Sequence, residues 1–280
     1  MRAYVVGNAT LDVVHSLDRL PKPGETLLCS RRVAGPGGKG LNQAAAAARA
    51  GASVRFHAPI GDDEAGRTLE NALVGEPRLE TRFWRRRGPS DESSIWVGEK
   101  GENMIVSTAD CARSVTPAEA VAALAGAAPG DWLAMQGNLP GDTTAAALAA
   151  ARAKGVSTLF NPAPFTFDPA PMIRDIDVLV ANRVEAAMLG EGEAALAAVL
   201  GRALIVTLGA EGARVVTPAG AQDLAAEPVN AIDATGAGDA FAGALLAALV
   251  NGSALDAAAA LANKAGALAT LSVGAFAPAA

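Results

Sequence analysis

Cysteine is scarce in this chain, with two among 280 residues, Cys29 and Cys111. Two isolated cysteines make neither a disulfide framework nor a metal-type pair, and they fit a reducing cytosol. Basic charge is also short: Lys+Arg number 23 against 29 Asp+Glu, for a formal net charge of −6. That balance excludes the broad basic face of a general nucleic-acid binder, while leaving room for a local basic groove around a phosphorylated ligand. No apolar run is long enough to cross a bilayer, and Met1-Arg2-Ala3-Tyr4 leads directly into strand-like Val5-Val6. Neither a signal peptide nor a membrane association is expected, and the location expected is cytoplasmic. There is no internal repeat, and the alanine-rich stretches fall at helical spacing, so they read as helix.

What the chain does have is a hydrophobic fraction of 51% over a length that supports one large core. Tyr4–Val6 reads as a buried first strand, Leu41–Ala50 as a helix, Val54–Ile60 as a strand and Ala65–Leu73 as a helix. From about 115 onward strands and helices alternate regularly, which predicts a mainly parallel sheet covered on both faces. Two stretches break the rhythm, 12–34 and 81–108. Both read as β-hairpin material, and together they predict a small second sheet over the main one. Ligands of such sheets bind outside the carboxyl ends of the strands, here the loops 7–12, 136–140, 161–165, 182–185 and 207–212.

The run Asp233-Ala234-Thr235-Gly236-Ala237-Gly238-Asp239 sets small residues and an acid at the mouth of a long Ala/Leu-rich helix. Such a turn points main-chain N–H groups at one spot, and the helix N-terminus adds its positive dipole end, which suits an oxyanion or phosphate. A carboxylate beside it can take a proton from an attacking hydroxyl. A Gly-rich turn before a helix also serves simply to let a strand pass closely into it. Gly37-Gly38-Lys39-Gly40-Leu41-Asn42 precedes the first helix without the Ser or Thr that a Walker A loop places after its lysine. It reads either as a hinge or as main-chain groups and a carboxamide set to bind sugar hydroxyls. Asp12 either turns the chain out of the sheet or accepts bonds from two vicinal hydroxyls. Glu185, three residues after Asn182, is ordinary dipole complementation or, with Asn182, a partner for Mg²⁺ and its waters. Thr207-Leu208-Gly209-Ala210-Glu211-Gly212 is a β-turn or a main-chain cradle for a nucleotide.

Taken together, these motifs resemble the ribokinase-like (PfkB) family of carbohydrate and nucleoside kinases. Gly37 to Asn42, with Gly51 and Gly61, fits the family's N-terminal pattern, and 233–246 fits its C-terminal pattern except at Ala234. The resemblance covers about residues 3–276 and implies one domain, 1–280. Its fold would be a three-layer α/β/α core with a mainly parallel sheet, carrying a small β-sheet lid formed by 12–34 and 81–108. It implies Asp239 as general base and the N–H groups of Gly236, Ala237 and Gly238 as the anion hole. Asn182 and Glu185 would organise Mg²⁺ and phosphates. Thr207, Gly209, Glu211 and Gly212 would line the ATP site, with Asn263 near adenine or ribose. Thr10, Asp12, Gly38, Lys39 and Asn42 would hold the sugar.

The chain departs from the family's pattern in three places. Where ribokinases carry a sugar-binding acid after the strand at 131–136, this chain has a neutral Asn138. A monovalent cation such as K⁺ is implied beside the anion hole, through carbonyls near Asp233, Thr235, Thr270, Val273 and Gly274. Here, however, the chain continues Gly274-Ala275-Phe276 with no hydroxyl to complete that site. Arg82, Arg85, Arg86 and Arg87 fall in the expected lid, as a solvated face or as a phosphate-reaching group for a phosphorylated sugar. The expected activity is ATP-dependent phosphoryl transfer to a sugar hydroxyl. A nucleoside or phosphosugar kinase and a non-catalytic sugar or nucleotide sensor are the alternatives. Apolar residues of the lid (Ile95, Trp96, Val97, Ile105, Val106) predict a homodimer formed through it.

Overall fold

The strand β1, Ala3–Val6, has no exposed residue and is hydrogen-bonded on both sides, which is why its sequence lacks the polar alternation of a surface strand. Around it the computed structural model, which describes residues 1–99, 102–272 and 274–276, builds a sheet of nine strands. In chain order the elements are β2 (Thr10–Leu17), β3 (Arg31–Gly37), α1 (Lys39–Arg49), β4 (Val54–Gly61), α2 (Glu64–Leu73) and β5 (Leu79–Arg86). Then come β6 (Glu92–Gly98), β7 (Asn103–Ser107), α3 (Asp110–Arg113), α4 (Pro117–Ala122), β8 (Trp132–Gln136), α5 (Gly141–Ala153) and β9 (Ser157–Asn161). The last part holds β10 (Val178–Asn182), α6 (Arg183–Met188), α7 (Glu193–Val199), β11 (Ala203–Thr207), β12 (Ala213–Thr217), β13 (Gly220–Leu224), α8 (Ala237–Val250) and α9 (Leu255–Ala269).

The large sheet runs β13-β12-β11-β10-β9-β8-β1-β4-β5. It is parallel from β11 to β5, and the β12–β13 hairpin closes it antiparallel. Side chains alternate between two cores. Ala3 and Val5 face Leu41, Phe241 and Leu245 on the α1–α8 side, while Tyr4 and Val6 face Leu124, Leu148 and Phe160 on the α4–α5 side. The predicted three layers are thus present. A separate four-stranded sheet, β3-β2-β6-β7, covers one end of the large one.

Three local readings differ from the sequence expectation. Residues 81–86 belong to β5, the edge of the large sheet, pairing Phe56 with Thr81 through Gly61 with Arg86, so the second sheet takes up the chain again only at Glu92. The cause is apolar anchoring: Leu79 and Phe83 pack on the core, and Phe83 meets Phe56 edge-on with ring centroids 6.2 Å apart. The arginines therefore sit on the main sheet's flank. Arg82 pairs with Glu80, Arg85 with Glu70, and Arg86 with both oxygens of Glu119 at 2.9 Å. On the lid side, the second strand of the stretch 12–34 begins only at Arg31 and runs on to Gly37. The third difference is the pair α7 and β13, which the alternation pattern did not predict.

Candidate functional site

The second sheet meets the carboxyl ends of β1 and β8 and the start of α8 around a cavity of about 910 Å³. Its walls include Thr10, Asp12, Gly38, Lys39, Asn42, Asn138, Asp233, Thr235, Gly236 and Asp239, so residues up to 229 positions apart in sequence converge there. β2 carries Thr10 and Asp12 to one wall, where the Thr10 hydroxyl donates to Asp12 Oδ1 at 2.7 Å. Burial pushes the Asp12 carboxyl above its usual 3.8. Hydrogen bonds from Thr10 and Ser93 pull it back, and the charge of Asp239 adds to the rise.

The Gly-rich turn before α1 is set by space. A Cβ on Gly37 would lie 2.0 Å from Asp12 Oδ2, and Gly38 has φ 93. No side chain caps α1 from Gly38; Asn8, 5% exposed, supplies the substitute by accepting the Gly40 N–H through Oδ1 at 3.1 Å. This fixes Lys39, Asn42 and Gln43 toward α8. Asp239, 6% exposed, then receives Gln43 Nε2 at 3.0 Å on Oδ1 and Asn42 Nδ2 at 3.4 Å on Oδ2, with Lys39 Nζ 3.7 Å from Oδ1. Two acceptors on this cavity's residues, Asn42 Oδ1 and Asn138 Oδ1, are buried without a hydrogen-bond partner among the described residues. Buried acceptors of that kind call for donors, and a polyhydroxylated ligand supplies them.

Gly236 caps α8 in the left-handed region (φ 79), where a Cβ would strike the Ala275 backbone at 2.5 Å. The Ala237 N–H donates to the Ala234 carbonyl at 3.2 Å, closing the turn. Of the three expected anion-hole donors, those of Gly236 and Gly238 have no partner among the described residues. Burial raises the Asp233 carboxyl. The bonds it accepts from the Thr235 hydroxyl at 2.6 Å, the Gly274 N–H at 2.9 Å and the Thr235 N–H at 2.8 Å outweigh this and hold it below the usual range. The Thr270 carbonyl accepts two N–H groups, from Ile232 and Asp233. Val273, the remaining expected cation ligand of that group, lies outside the described residues.

The residues expected around ATP gather at the carboxyl ends of β10 and β11. Asn182 and Glu185 form a reciprocal capping box on α6, with bonds of 2.8 and 2.9 Å. Thr207 ends β11, and Gly209 to Glu211 make one 3-10 turn. Gly212 approaches the Leu224 carbonyl so closely that a Cβ would lie 2.0 Å from it. Glu211 pairs with Arg183 at 2.6 Å and lines a second groove of about 530 Å³ with Leu208, Arg214 and Ala225. Asn263 donates to the Ala225 carbonyl at 2.7 Å, bracing that groove's wall. Among the described residues, no cluster of three or more His, Cys, Asp or Glu is placed to hold a metal; the Glu185 carboxylate in the first turn of α6 suits an ion held through water and phosphate.

Sequence reasoning passed over Gln43, Asn161 and Gln136, which are buried beside Asp239, and Asn8, which braces α1. It also missed Asp91 and Arg113 on the cavity wall. Burial raises the Asp91 carboxyl, opposed by bonds from the Ala112 and Cys111 N–H groups.

A doubly covered parallel sheet with a small second sheet, and a buried carboxylate in the first turn of a helix facing a cavity, suit phosphoryl transfer to an alcohol group. The comparison with known proteins agrees: the pfkB family carbohydrate kinase profile matches residues 2–280, and the chain belongs to that family. It is 32% identical to a ribokinase of Bacillus subtilis (strain 168) over 282 residues, covering 97% of this chain and 93% of that one. A crystal structure of ribokinase from Thermotoga maritima superposes with a TM-score of 0.88 at 26% identity, covering 98% and 94% of the two chains. Ribokinase from Cryptococcus neoformans var. grubii serotype A, solved with ADP, gives 0.82 at 28% identity over 98% and 94%.

Proposed function

We propose that the protein transfers the γ-phosphoryl group of ATP to a primary hydroxyl of a free sugar, with Asp239 as general base. The observation that carries this reading is the buried Asp239 carboxylate facing a cavity whose Asn42 and Asn138 hold unpartnered acceptors. Asp12, Asn42 and Asn138 accept sugar hydroxyl protons, with Thr10, Gly38 and Lys39 completing the wall. The chain's own work is to align the hydroxyl, take its proton at Asp239 and keep water out as the lid sheet closes. Bound ATP with Mg²⁺ supplies the phosphoryl group. Gly236 and Gly238 would hold its transferring oxygens, and Asn182 and Glu185 the phosphates and the ion through water. Thr207, Gly209, Glu211, Gly212 and Asn263 would frame the nucleotide.

The test is a coupled ADP-release assay with MgATP across pentoses, hexoses, nucleosides and sugar phosphates. Turnover is expected to be highest with a pentose, the substrate class named by the Bacillus subtilis relative. Turnover with none of them would overturn the reading in favour of a sensor. One observation favours a second acceptor class: Arg113 lines the same cavity and makes no ion pair among the described residues. A sugar phosphate would satisfy it, and the same panel decides between the two.

Two free cysteines, one exposed and one buried, accord with a cytoplasmic location. Exposed Met104, Ile105 and Val106 on β7, at 43, 51 and 65% exposure, support a homodimer through the lid sheet. Ile95 of the predicted apolar face is itself buried, at 7%. A monomeric mass in solution at micromolar protein would rule the dimer out.

A further inference from the structure

Gln43, on α1, is 1% exposed, and both polar atoms of its carboxamide are engaged. Nε2 donates to Asp239 Oδ1 at 3.0 Å and to Asn161 Oδ1 at 3.3 Å, while Oε1 accepts from Gln136 Nε2 at 2.8 Å. Asn161 passes the chain on by donating to the Val180 carbonyl at 2.8 Å. Carboxamides from α1, β8 and β9 thus form one polar line through an apolar interior, and it ends on a single oxygen of Asp239. The direction of that line is fixed. Turning the Gln43 amide over would set its oxygen against two acceptors and its amino group against that of Gln136.

The two oxygens of Asp239 are consequently unequal. Oδ1 has Gln43 at 3.0 Å and Lys39 at 3.7 Å, whereas Oδ2 meets Asn42 at 3.4 Å, beyond ordinary N–H···O separation. We propose that Gln43 is a positioning residue for the base: its N–H ties down Oδ1, fixes the carboxylate plane, and leaves Oδ2 as the oxygen that takes the acceptor's proton. This rests on Asp239 being the base, as proposed above. The other charged groups around Asp239 are Lys39 on α1, Asp12 on β2, and Asp233 before α8. Asp91 and Arg113 line the cavity further off. None of these replaces a neutral donor aimed at Oδ1.

The test uses the full chain with MgATP and D-ribose, comparing wild type, Gln43→Glu, Gln43→Met and Asp239→Asn. Gln43→Glu is isosteric and keeps the acceptor for Gln136 but replaces the donor to Asp239 and Asn161 with a negatively charged oxygen; Gln43→Met removes all three bonds. Both are expected to lower kcat about tenfold or more, with ribose and ATP dissociation constants within about threefold of wild type. A folded Gln43→Glu, or Gln43→Met should the first not fold, with wild-type kcat overturns the proposal. So does loss of ribose and ATP affinity in step with kcat, which marks a merely structural role. Asp239→Asn separates the two readings. If it keeps near wild-type turnover, the base assignment itself is wrong. If it is inactive beside a wild-type-like Gln43→Met, only the role of Gln43 is wrong.

Discussion

Replacing Asp239 by Asn tests the reaction with little disturbance to the fold. The new amide has the shape of the carboxylate, and its oxygen can keep the 3.0 Å bond from Gln43. Its nitrogen then faces Asn42 Nδ2, 3.4 Å away in the wild type, which opposes two donors. The Asn42 amide can turn over to answer this, because its Oδ1 has no partner to lose. The attraction to Lys39 is lost as well. That pair is separated by 3.7 Å, with the lysine side chain 36% and the aspartate 8% exposed, so solvent screens the lysine half and the loss is on the order of 1 kcal/mol. Melting should therefore fall by no more than roughly 2–4 °C in a chain of this size. Turnover should fall by about 10²–10⁴, the usual contribution of a positioned base, equivalent to about 3–5 kcal/mol of barrier. The proposed nucleotide groove lies on β10, β11 and their turns, so ATP affinity should stay within about threefold. ADP release at saturating ribose, calorimetric titration with ATP and a melting curve measure the three quantities. Turnover within about tenfold of wild type would refute Asp239 as base.

The alternation of strand and helix was legible because each helix carries its own periodicity and each central strand is apolar throughout. Of the expected sugar-side and catalytic residues, Thr10, Asp12, Gly38, Lys39, Asn42, Asn138, Gly236 and Asp239 line one cavity, and Gly37 and Gly236 mark turns where a side chain does not fit. β5 was misread for a reason local patterning cannot remove. Its arginines alternate like those of a surface hairpin, and only Phe83 against Phe56 and the core decides which sheet takes it. Gln43 stands beside Asn42 in the very motif that drew notice, yet a glutamine on a helix ordinarily faces water. Its burial follows from α8 closing on α1, where a Cβ on Gly243 would lie 2.5 Å from Ala46 Cβ. Asn182 and Glu185 show the opposite case. Their spacing serves a capping box and a phosphate site equally well, and the 2.8 and 2.9 Å bonds establish only the first.

Arg86 is braced by Glu119 and Ser114 on the sheet's flank, so Arg86→Ala should lower stability by about 1 kcal/mol and leave the sugar KM unchanged. A raised KM without a lower melting temperature would restore it to the site. Exchanging K⁺ for a larger monovalent cation at constant ionic strength should alter turnover less than about twofold, because a carbonyl has two lone pairs and that of Thr270 already accepts two N–H groups. Strong K⁺ activation would show that the turn rearranges to free it. The last prediction concerns pH. Burial raises the Asp12 carboxyl above 3.8, so its charged form is disfavoured in the folded chain, and its contribution to stability is greatest below 3.8 and is lost as pH rises through the raised value. The ionised carboxylate accepts two hydroxyl protons where the neutral acid accepts fewer. Ribose binding measured by calorimetry should therefore tighten as pH rises through that same window, opposite in sense to the stability contribution. Asp12→Asn should bind more weakly and lose this dependence, and a variant that kept the wild-type slope would remove Asp12 from the sugar's contacts.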